Sequence, residues 1–545
     1  MTRPGRERIL DSSIPWRGAR RVKDWALLHG DLAALVAVVV VLMIRIVAAR
    51  DRYLSPDEAL HLEAASASSL IDVYENSRPL PHPPLFFLLL HLWQRAGRSE
   101  FFLRMLPAVF GVGFLCLAHR WAGRLFGRTA GLTTLFLVAF SPAFLSLSAE
   151  VRGYSLLLFL SAAALGEFEG ALEARSPARM LGSSLFLSLA ILAHFAALFV
   201  LMSLFVYALV RFWRDRPPRR VLWIWALSQA GVAAVCLFLY STQVKTLRGT
   251  EAVQTLTGTF SSNYFHHDRE TPSGFLVRQT AALFRYLFGS RLAATVIVIL
   301  VAAGVVSLAL RRRRSAVLLV LPGLLGAAAG LRALYPFGGT RHCAYLLPFV
   351  GAAVGVAVSA FSVRRLRVLL AGIALLPLLW GRPVWTSPPR SLSPMKAAID
   401  RLRAIAPRGS LLLTDRQTGT VLRYYFGTDA SSDGPSRDYR IVRSPVWASD
   451  PAKLGEEVER LIRIYRLSAG RRFWVIRLGP EQDPTAELAR RLPAAVFSVV
   501  GRFGEILIVE VRLRDSPGER GSLPMDEPKS PLDHVQPLPG QGFVT

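Results

Sequence analysis

Apolar residues fall in long blocks separated by short polar loops, most of them basic. Runs near 31–49, 102–119, 129–147, 152–171, 180–213, 222–240, 293–310, 316–334, 343–361 and 367–382 stand out. Each is long enough to cross, or nearly to cross, a ~30 Å hydrocarbon core as a helix. The run 180–213 is too long for one span and divides at Ala193-His194 into two short ones, so the pattern predicts about eleven crossings. The stretch 83–93 is only about half the length a crossing needs. Counted as a span, it would place the loop with Arg120, Arg124 and Arg128 outside. As a juxtamembrane or re-entrant helix at the outer interface, it leaves that loop and every later basic loop in the cytoplasm. The chain therefore reads as a polytopic α-helical membrane protein.

The pattern changes near residue 390. Helix-like segments at 393–406, 451–467 and 485–491 alternate with strand-like segments at 410–414, 472–478, 495–500 and 506–511, which predicts a small α/β domain. Four regions follow: a basic cytoplasmic amino terminus (1–28), a membrane domain (29–389), an extracytoplasmic α/β domain (390–513), and a disordered tail rich in Pro, Gly and charge (514–545). The long external loop 241–290 carries His266, His267 and Asp268 and ends in an amphipathic stretch, 275–288. Adjacent histidines do not readily share one metal on a helix.

Composition agrees: 52% hydrophobic, 19% charged, mean hydropathy +0.36. The net charge of +27 would point to nucleic acid in a soluble chain. Here the basic clusters (Arg17, Arg20 and Arg21; 211–220; 311–314; Arg364, Arg365 and Arg367) flank apolar runs, so they set topology and imply no nucleic-acid partner. The three cysteines, Cys116, Cys236 and Cys343, lie in or at the edge of apolar runs without ligand-like spacing, which argues against a disulfide framework or structural zinc.

With this topology the polar outliers converge. Asp57, Glu58, His61, His82, Arg104, the stretch Glu150-Val151-Arg152-Gly153-Tyr154, His194 and the Arg341-His342 pair all fall at the outer ends of spans. Ionisable groups at membrane depth are costly and mark functional cavities. Ser55-Pro56 starts a helix whose first turn holds Asp57, where the helix dipole keeps a carboxylate ionised and fit to act as a base. Acidic residues at a helix start also serve as plain caps.

The order of these stretches resembles the GT-C glycosyltransferases of the protein O-mannosyltransferase and lipid A aminoarabinose transferase type, over roughly residues 30–382. The resemblance rests on Asp57-Glu58 in the first external loop, His82-Pro83-Pro84-Leu85-Phe86-Phe87, Ser99-Glu100-Phe101-Phe102-Leu103-Arg104-Met105-Leu106-Pro107, Ala149-Glu150-Val151-Arg152-Gly153-Tyr154, and Tyr335-Pro336-Phe337-Gly338-Gly339 before Arg341-His342. It implies a multi-pass protein of the plasma (inner) membrane that takes a sugar from a polyprenyl-phosphate donor, with inversion, to a glycan, lipid or protein acceptor outside. By match to the family pair Asp57 is the base, with Glu58 orienting it and Glu150 as the second acid, positioning the acceptor or a divalent ion. Arg104, Arg152 and Arg341 suit the donor phosphate, because a guanidinium forks onto phosphate oxygens and stays charged beside lipid. Tyr154, His82, His194 and His342 complete the candidate substrate site, the histidines being suited first to structural hydrogen bonding near the interface. A metal at Asp57, His61 and Glu150 stays unassigned, and no other cofactor is implied. The α/β domain does not match the repeat-rich external domain of eukaryotic protein mannosyltransferases, so the acceptor is open. The alternatives are a lipid or glycan transporter or flippase and a noncatalytic scaffold. A transporter is expected to carry its polar groups at the midplane, whereas these crowd one face.

Overall fold

The computed structural model describes residues 53–247, 260–360, 393–426, 439–443, 451–464, 471–478 and 485–514, with scattered positions between 32 and 47 and at 258 and 467. The amino terminus 1–28, the expected span 367–382 and the tail from 515 lie outside the described residues.

The chain enters through a short helix, α1 (Pro56–Ala65). Ser55 caps it reciprocally: its hydroxyl accepts from Glu58 N at 3.3 Å, and its own N–H donates to Glu58 Oε2 at 2.9 Å, with Pro56 pre-set for the first turn. A second box, Ser69 with Asp72, starts α2 (Leu70–Ser77), and the stretch expected at the interface forms α3 (Leu85–Gln94). Helix α3 packs on α1, α2, α4 and α8.

The bundle consists of α4 (Glu100–Phe126), α5 (Arg128–Ala139), α6 (Pro142–Leu147), α7 (Tyr154–Glu173), α8 (Pro177–Ala193), α9 (Ala197–Asp215), α10 (Arg219–Leu239), α11 (Pro272–Phe288), α12 (Arg291–Leu310), α13 (Ser315–Leu331) and α14 (Leu347–Ser359). A π turn (Tyr240–Val244) continues α10, and a 3-10 turn (Arg341–Leu346) leads into α14. Six helical stretches among the described residues are long and apolar enough to cross a membrane, and α3, α5, α8 and α13 are shorter apolar helices. The run 180–213 divides at His194, which adopts an extended backbone between α8 and α9. The run 129–147, expected as one span, instead breaks at Ser141-Pro142. The Ser141 hydroxyl accepts from Phe144 N and donates to Leu287 O at 2.6 Å, so the break is fastened to α11. Close helix crossings rely on small residues: a Cβ at Gly304 of α12 would sit 2.0 Å from the Ala353 carbonyl oxygen of α14.

Beyond 393 the chain forms a three-layer α/β domain. Its sheet has the order β2-β1-β3-β5-β4, from β1 (Ser410–Thr414), β2 (Tyr439–Arg443), β3 (Arg472–Leu478), β4 (Ala495–Phe503) and β5 (Ile506–Leu513). Strands β2, β1 and β3 run parallel, while β5 pairs antiparallel with both β3 and β4. Alternate residues of β3 separate the two cores: Trp474 and Ile476 face α15 (Pro394–Ile405) and α16 (Arg416–Phe426), whereas Phe473 and Val475 face α17 (Pro451–Ile464) and α18 (Thr485–Arg491). Two elements escaped the sequence pattern. Helix α16 is polar in composition yet buries Thr418, Val421, Leu422 and Phe426, and β2 is a five-residue edge strand with no clear alternation. Helix α16 lies against α1, which brings this domain to the end of the bundle that carries α1.

Candidate active site

Adjacent positions on a helix diverge by about 100 degrees, and the two acids of α1 take opposite partners accordingly. Glu58, 1% exposed, turns into the bundle. Its Oε1 accepts from Arg104 Nε at 3.2 Å and Val151 N at 3.1 Å, and its Oε2 accepts from Ser55 N and from Arg104 Nη2 at 3.3 Å. Arg104 also donates to the Tyr53 carbonyl at 3.2 Å. The Arg104 guanidinium is therefore spent on Glu58 and the chain entering α1. This differs from the expectation that it joins Arg152 and Arg341, and the reason is that a buried cation takes the nearest buried anion.

Asp57 turns outward, its side chain 44% exposed. Its Oδ2 accepts from Arg152 Nη1 at 2.5 Å and Arg341 Nη2 at 2.6 Å, while Oδ1 has no partner among the described residues. Burial pushes the carboxyl pKa up, but Arg152 and Arg341 outweigh it and hold the group well below the ordinary carboxylate range. Arg341 owes its place to the preceding turn. Gly338 has φ +120°, and a Cβ there would meet Gln279 Oε1 at 1.9 Å, so only glycine fits.

One turn beyond Asp57, the His61 ring stacks on Phe87 with centroids 4.9 Å apart, and its Nδ1 lies 2.7 Å from the Asp57 carbonyl oxygen. Burial and the nearby Arg152 lower its pKa to about 3, so the imidazole is neutral. His82 follows, 4.9 Å from His61 between centroids, with Nε2 at 3.4 Å from Arg152 Nη2. Then come His194, 5.9 Å from His82, and His342, 6.5 Å from His194. The His194 Nδ1 accepts from Ala196 N at 3.1 Å, which assigns the proton to Nε2, a buried donor with no partner. His342 is tied through Nδ1 to the Thr340 hydroxyl at 2.9 Å. Glu150 lies behind this row. Its Oε1 accepts from the Ser146 hydroxyl at 2.7 Å, its Oε2 is buried and unpartnered, and burial raises its pKa.

A narrow crevice runs between His61, His82, Phe86, Phe87, Arg152, Tyr154 and His194. Glu150 Oε2, Arg152 Nε, Tyr154 OH, His194 Nε2 and Tyr335 OH cluster in this region, all buried and without hydrogen bonds among the described residues. A buried polar atom left unpaired costs about 1–3 kcal/mol, so such a cluster marks a place for a polar ligand or ordered water. Among the described residues no group of three or more His, Cys, Asp or Glu side chains could hold a metal ion, and Asp57, His61 and Glu150 do not form one. The structure thus gathers Asp57, Arg152, Arg341, His82, Tyr154, His194 and His342, with Glu150 behind and Glu58 and Arg104 paired beneath. Sequence reading missed Gln243, whose side-chain amide lies within 3.0 Å of the Ser77, Leu80 and His82 carbonyl oxygens and fixes the turn that presents His82. A lone Gln just past the end of an apolar run was its only signal.

A multi-pass helical bundle with short interfacial helices at one end and an α/β domain docked there is the GT-C glycosyltransferase fold. Residues 81–242, from the His82 turn to the end of α10, match the model of the dolichyl-phosphate-mannose-protein mannosyltransferase family. Among solved structures the chain is similar to ArnT from Cupriavidus metallidurans in the apo state, at 15% identity and TM-score 0.56, over 89% of this chain and 98% of that one. It is also similar to the same protein bound to undecaprenyl phosphate, at 14% identity and TM-score 0.53, over 88% and 98% of the two chains. At these identities the likeness carries the fold. No curated protein matches the chain in sequence.

Proposed function

We propose that the protein is an inverting glycosyltransferase that moves a sugar from a polyprenyl-phosphate donor to an acceptor at the outer face of the membrane. The observation that carries this reading is the single Asp57 oxygen shared by Arg152 and Arg341, beside an open Oδ1. Two guanidinium groups thus meet on one carboxylate oxygen, and a lipid phosphate, which takes charge-assisted hydrogen bonds from both, suits them. The matched mannosyltransferase family and the undecaprenyl phosphate bound to ArnT support that class of donor.

The donor phosphate competes with Asp57 for the two guanidinium groups. As they turn to the phosphate, Asp57 loses the charges that depress its pKa and becomes a better base. It takes the proton of the acceptor hydroxyl while the acceptor oxygen attacks the anomeric carbon from the face opposite the phosphate. The bond from that carbon to the phosphate oxygen breaks, and Arg152 and Arg341 stabilise the departing lipid phosphate. Glu58 acts at one remove, holding α1 to Arg104 and Val151. Neutral His61, His82 and His194 offer hydrogen bonds to sugar hydroxyls without adding charge. In this reading the amino terminus and the 311–314 loop are cytoplasmic, and the α/β domain is outside.

Transfer from a panel of radiolabelled polyprenyl-phosphate sugars, in proteoliposomes carrying wild type or Asp57→Asn, tests the reading. One donor should be consumed by wild type alone. Movement of intact donor across the bilayer, with no sugar transferred and no effect of Asp57→Asn, would favour a flippase instead.

A further inference from the structure

Helix α1 has three working faces. Asp57 faces Arg152 and Arg341, and His61, one turn on, lines the crevice. Glu58 and Leu62 face the bundle, through Arg104 and the transmembrane core. Ala59 and Glu63 face the α/β domain: Ala59, 2% exposed, lies in one cluster with Ala398, Leu402, Val421, Leu422 and Phe426. Glu63 receives Arg443 Nη1 at 2.7 Å, Arg423 Nη1 at 3.0 Å and the Thr420 hydroxyl at 3.2 Å. Successive pairs at i and i+4 thus form three faces about 100 degrees apart, each with its own partner.

The approach to α1 is fastened from the same side. Leu54 N donates to Tyr425 OH at 2.8 Å, the Tyr425 hydroxyl donates to Glu100, and the Tyr53 and Tyr425 rings lie 4.4 Å apart. Tyr424 OH donates to the Arg98 carbonyl at 2.8 Å, and its ring packs against the transmembrane core. A ten-residue helix has little stability of its own, so its place depends on what holds its sides.

We propose that the extracytoplasmic α/β domain is part of the catalytic apparatus, as the outer support that sets α1 and thereby aims Asp57, with Glu63 as the positioning residue. This rests on Asp57 as the base. Without the Glu63 contacts the bundle still grips α1 through Glu58, and the helix is free to roll about that side, moving Asp57 relative to Arg152 and Arg341.

The test uses the full-length protein in proteoliposomes, with kcat and donor KM measured beside hydrogen exchange of the α1 amides. Glu63→Ala should lower kcat by about 10- to 100-fold with donor KM unchanged, because misplacing a reacting group by about an ångström costs rate on that scale. Exchange in α1 should quicken while the spans exchange as in wild type. Glu63→Asp, which keeps the charge, should recover most of the turnover. Should Glu63→Ala fail to fold, Arg443→Gln, which removes one of the two cations from Glu63, must show the same changes in smaller measure. Unchanged α1 exchange overturns the proposal, and so does a loosened α1 with full turnover. If wild type uses no donor at all, the functional reading fails, and α1 exchange alone decides whether the α/β domain holds this helix.

Discussion

The two ends of α7 carry clusters of the same residue types, put to different ends. At its carboxyl end, buried Glu169 accepts from Arg211 Nη1 at 2.8 Å, and Arg211 reaches on to the Tyr207 hydroxyl at 2.6 Å and to Asp215 at 2.5 Å. Arg314, before α13, closes the chain on Asp215 at 3.1 Å. Two acids and two arginines cancel there and join three helices. At the amino end of α7, Arg152 and Arg341 share one oxygen of a half-exposed Asp57, burial raises the pKa of Glu150, and five buried polar atoms lack partners among the described residues. Balanced and mostly bonded charge fastens helices together. Two guanidinium groups on one carboxylate oxygen beside unpaired polar atoms, open on one side, leave room for an anion.

That contrast can be broken by substitution. The largest effect belongs to Asp57→Asn, which should lower kcat by roughly 10² to 10⁴. Donor affinity, measured by equilibrium binding of the polyprenyl-phosphate sugar, should hold or tighten, because the carboxylate that competes for the two guanidinium groups is gone; a weaker affinity would mean that Asp57 binds the donor instead. Next, Arg341→Met should weaken donor binding by about 10- to 100-fold, the loss of one charge-assisted hydrogen bond of about 1.5–3 kcal/mol. A titration that matches wild type would remove Arg341 from the phosphate site.

At the other cluster, Arg211→Met should leave kcat of the folded protein unchanged yet lower stability by about 1–3 kcal/mol, since buried Glu169 loses its partner. Thermal inactivation in detergent measures this, and a kcat that falls while the inactivation temperature holds would erase the distinction between the clusters. The smallest expected effect is on pH. The folded pKa of Asp57 is depressed and that of His61 is lowered to about 3, so in the free enzyme both are already in their working forms, ionised and neutral, at pH 5. The profile of kcat/KM should therefore lack an acid limb from about pH 5 to about pH 8, whereas kcat, which reports the loaded enzyme, should show a limb displaced upward if phosphate frees Asp57. The Asp57 ion pairs contribute stability above the unfolded carboxyl pKa of about 4, and that contribution is lost only as pH falls through the lower folded value. An acid limb of kcat/KM near 6.5 would show a titrating histidine in the free enzyme.

Much of this was legible in the chain. Long apolar runs could only be membrane helices, because lipid offers no partner to a bare backbone, and His194 inside one of them marked a real break. Other features were not legible. Nothing about Ser141-Pro142 distinguished a helix break from a tolerated Pro until the Leu287 carbonyl was seen to receive the Ser141 hydroxyl. Helix α16 opens on a polar turn and gathers its apolar residues at its carboxyl end, and its place depends on α1 and the sheet.

The sequence by itself determined a polytopic membrane protein with an α/β domain and with acids, arginines and histidines near the ends of its apolar runs, because hydropathy acts locally and adds along the chain. Only the tertiary structure decided what those groups do. Asp57 and Glu58 are neighbours with the same charge. One became a buried anchor because Arg104, from a different helix, reached it first. The other became an exposed carboxylate because Arg152 and Arg341, the latter 284 positions away, met on a single oxygen. Pairing of charges depends on distance in space, and distance along the chain carries almost no information about that.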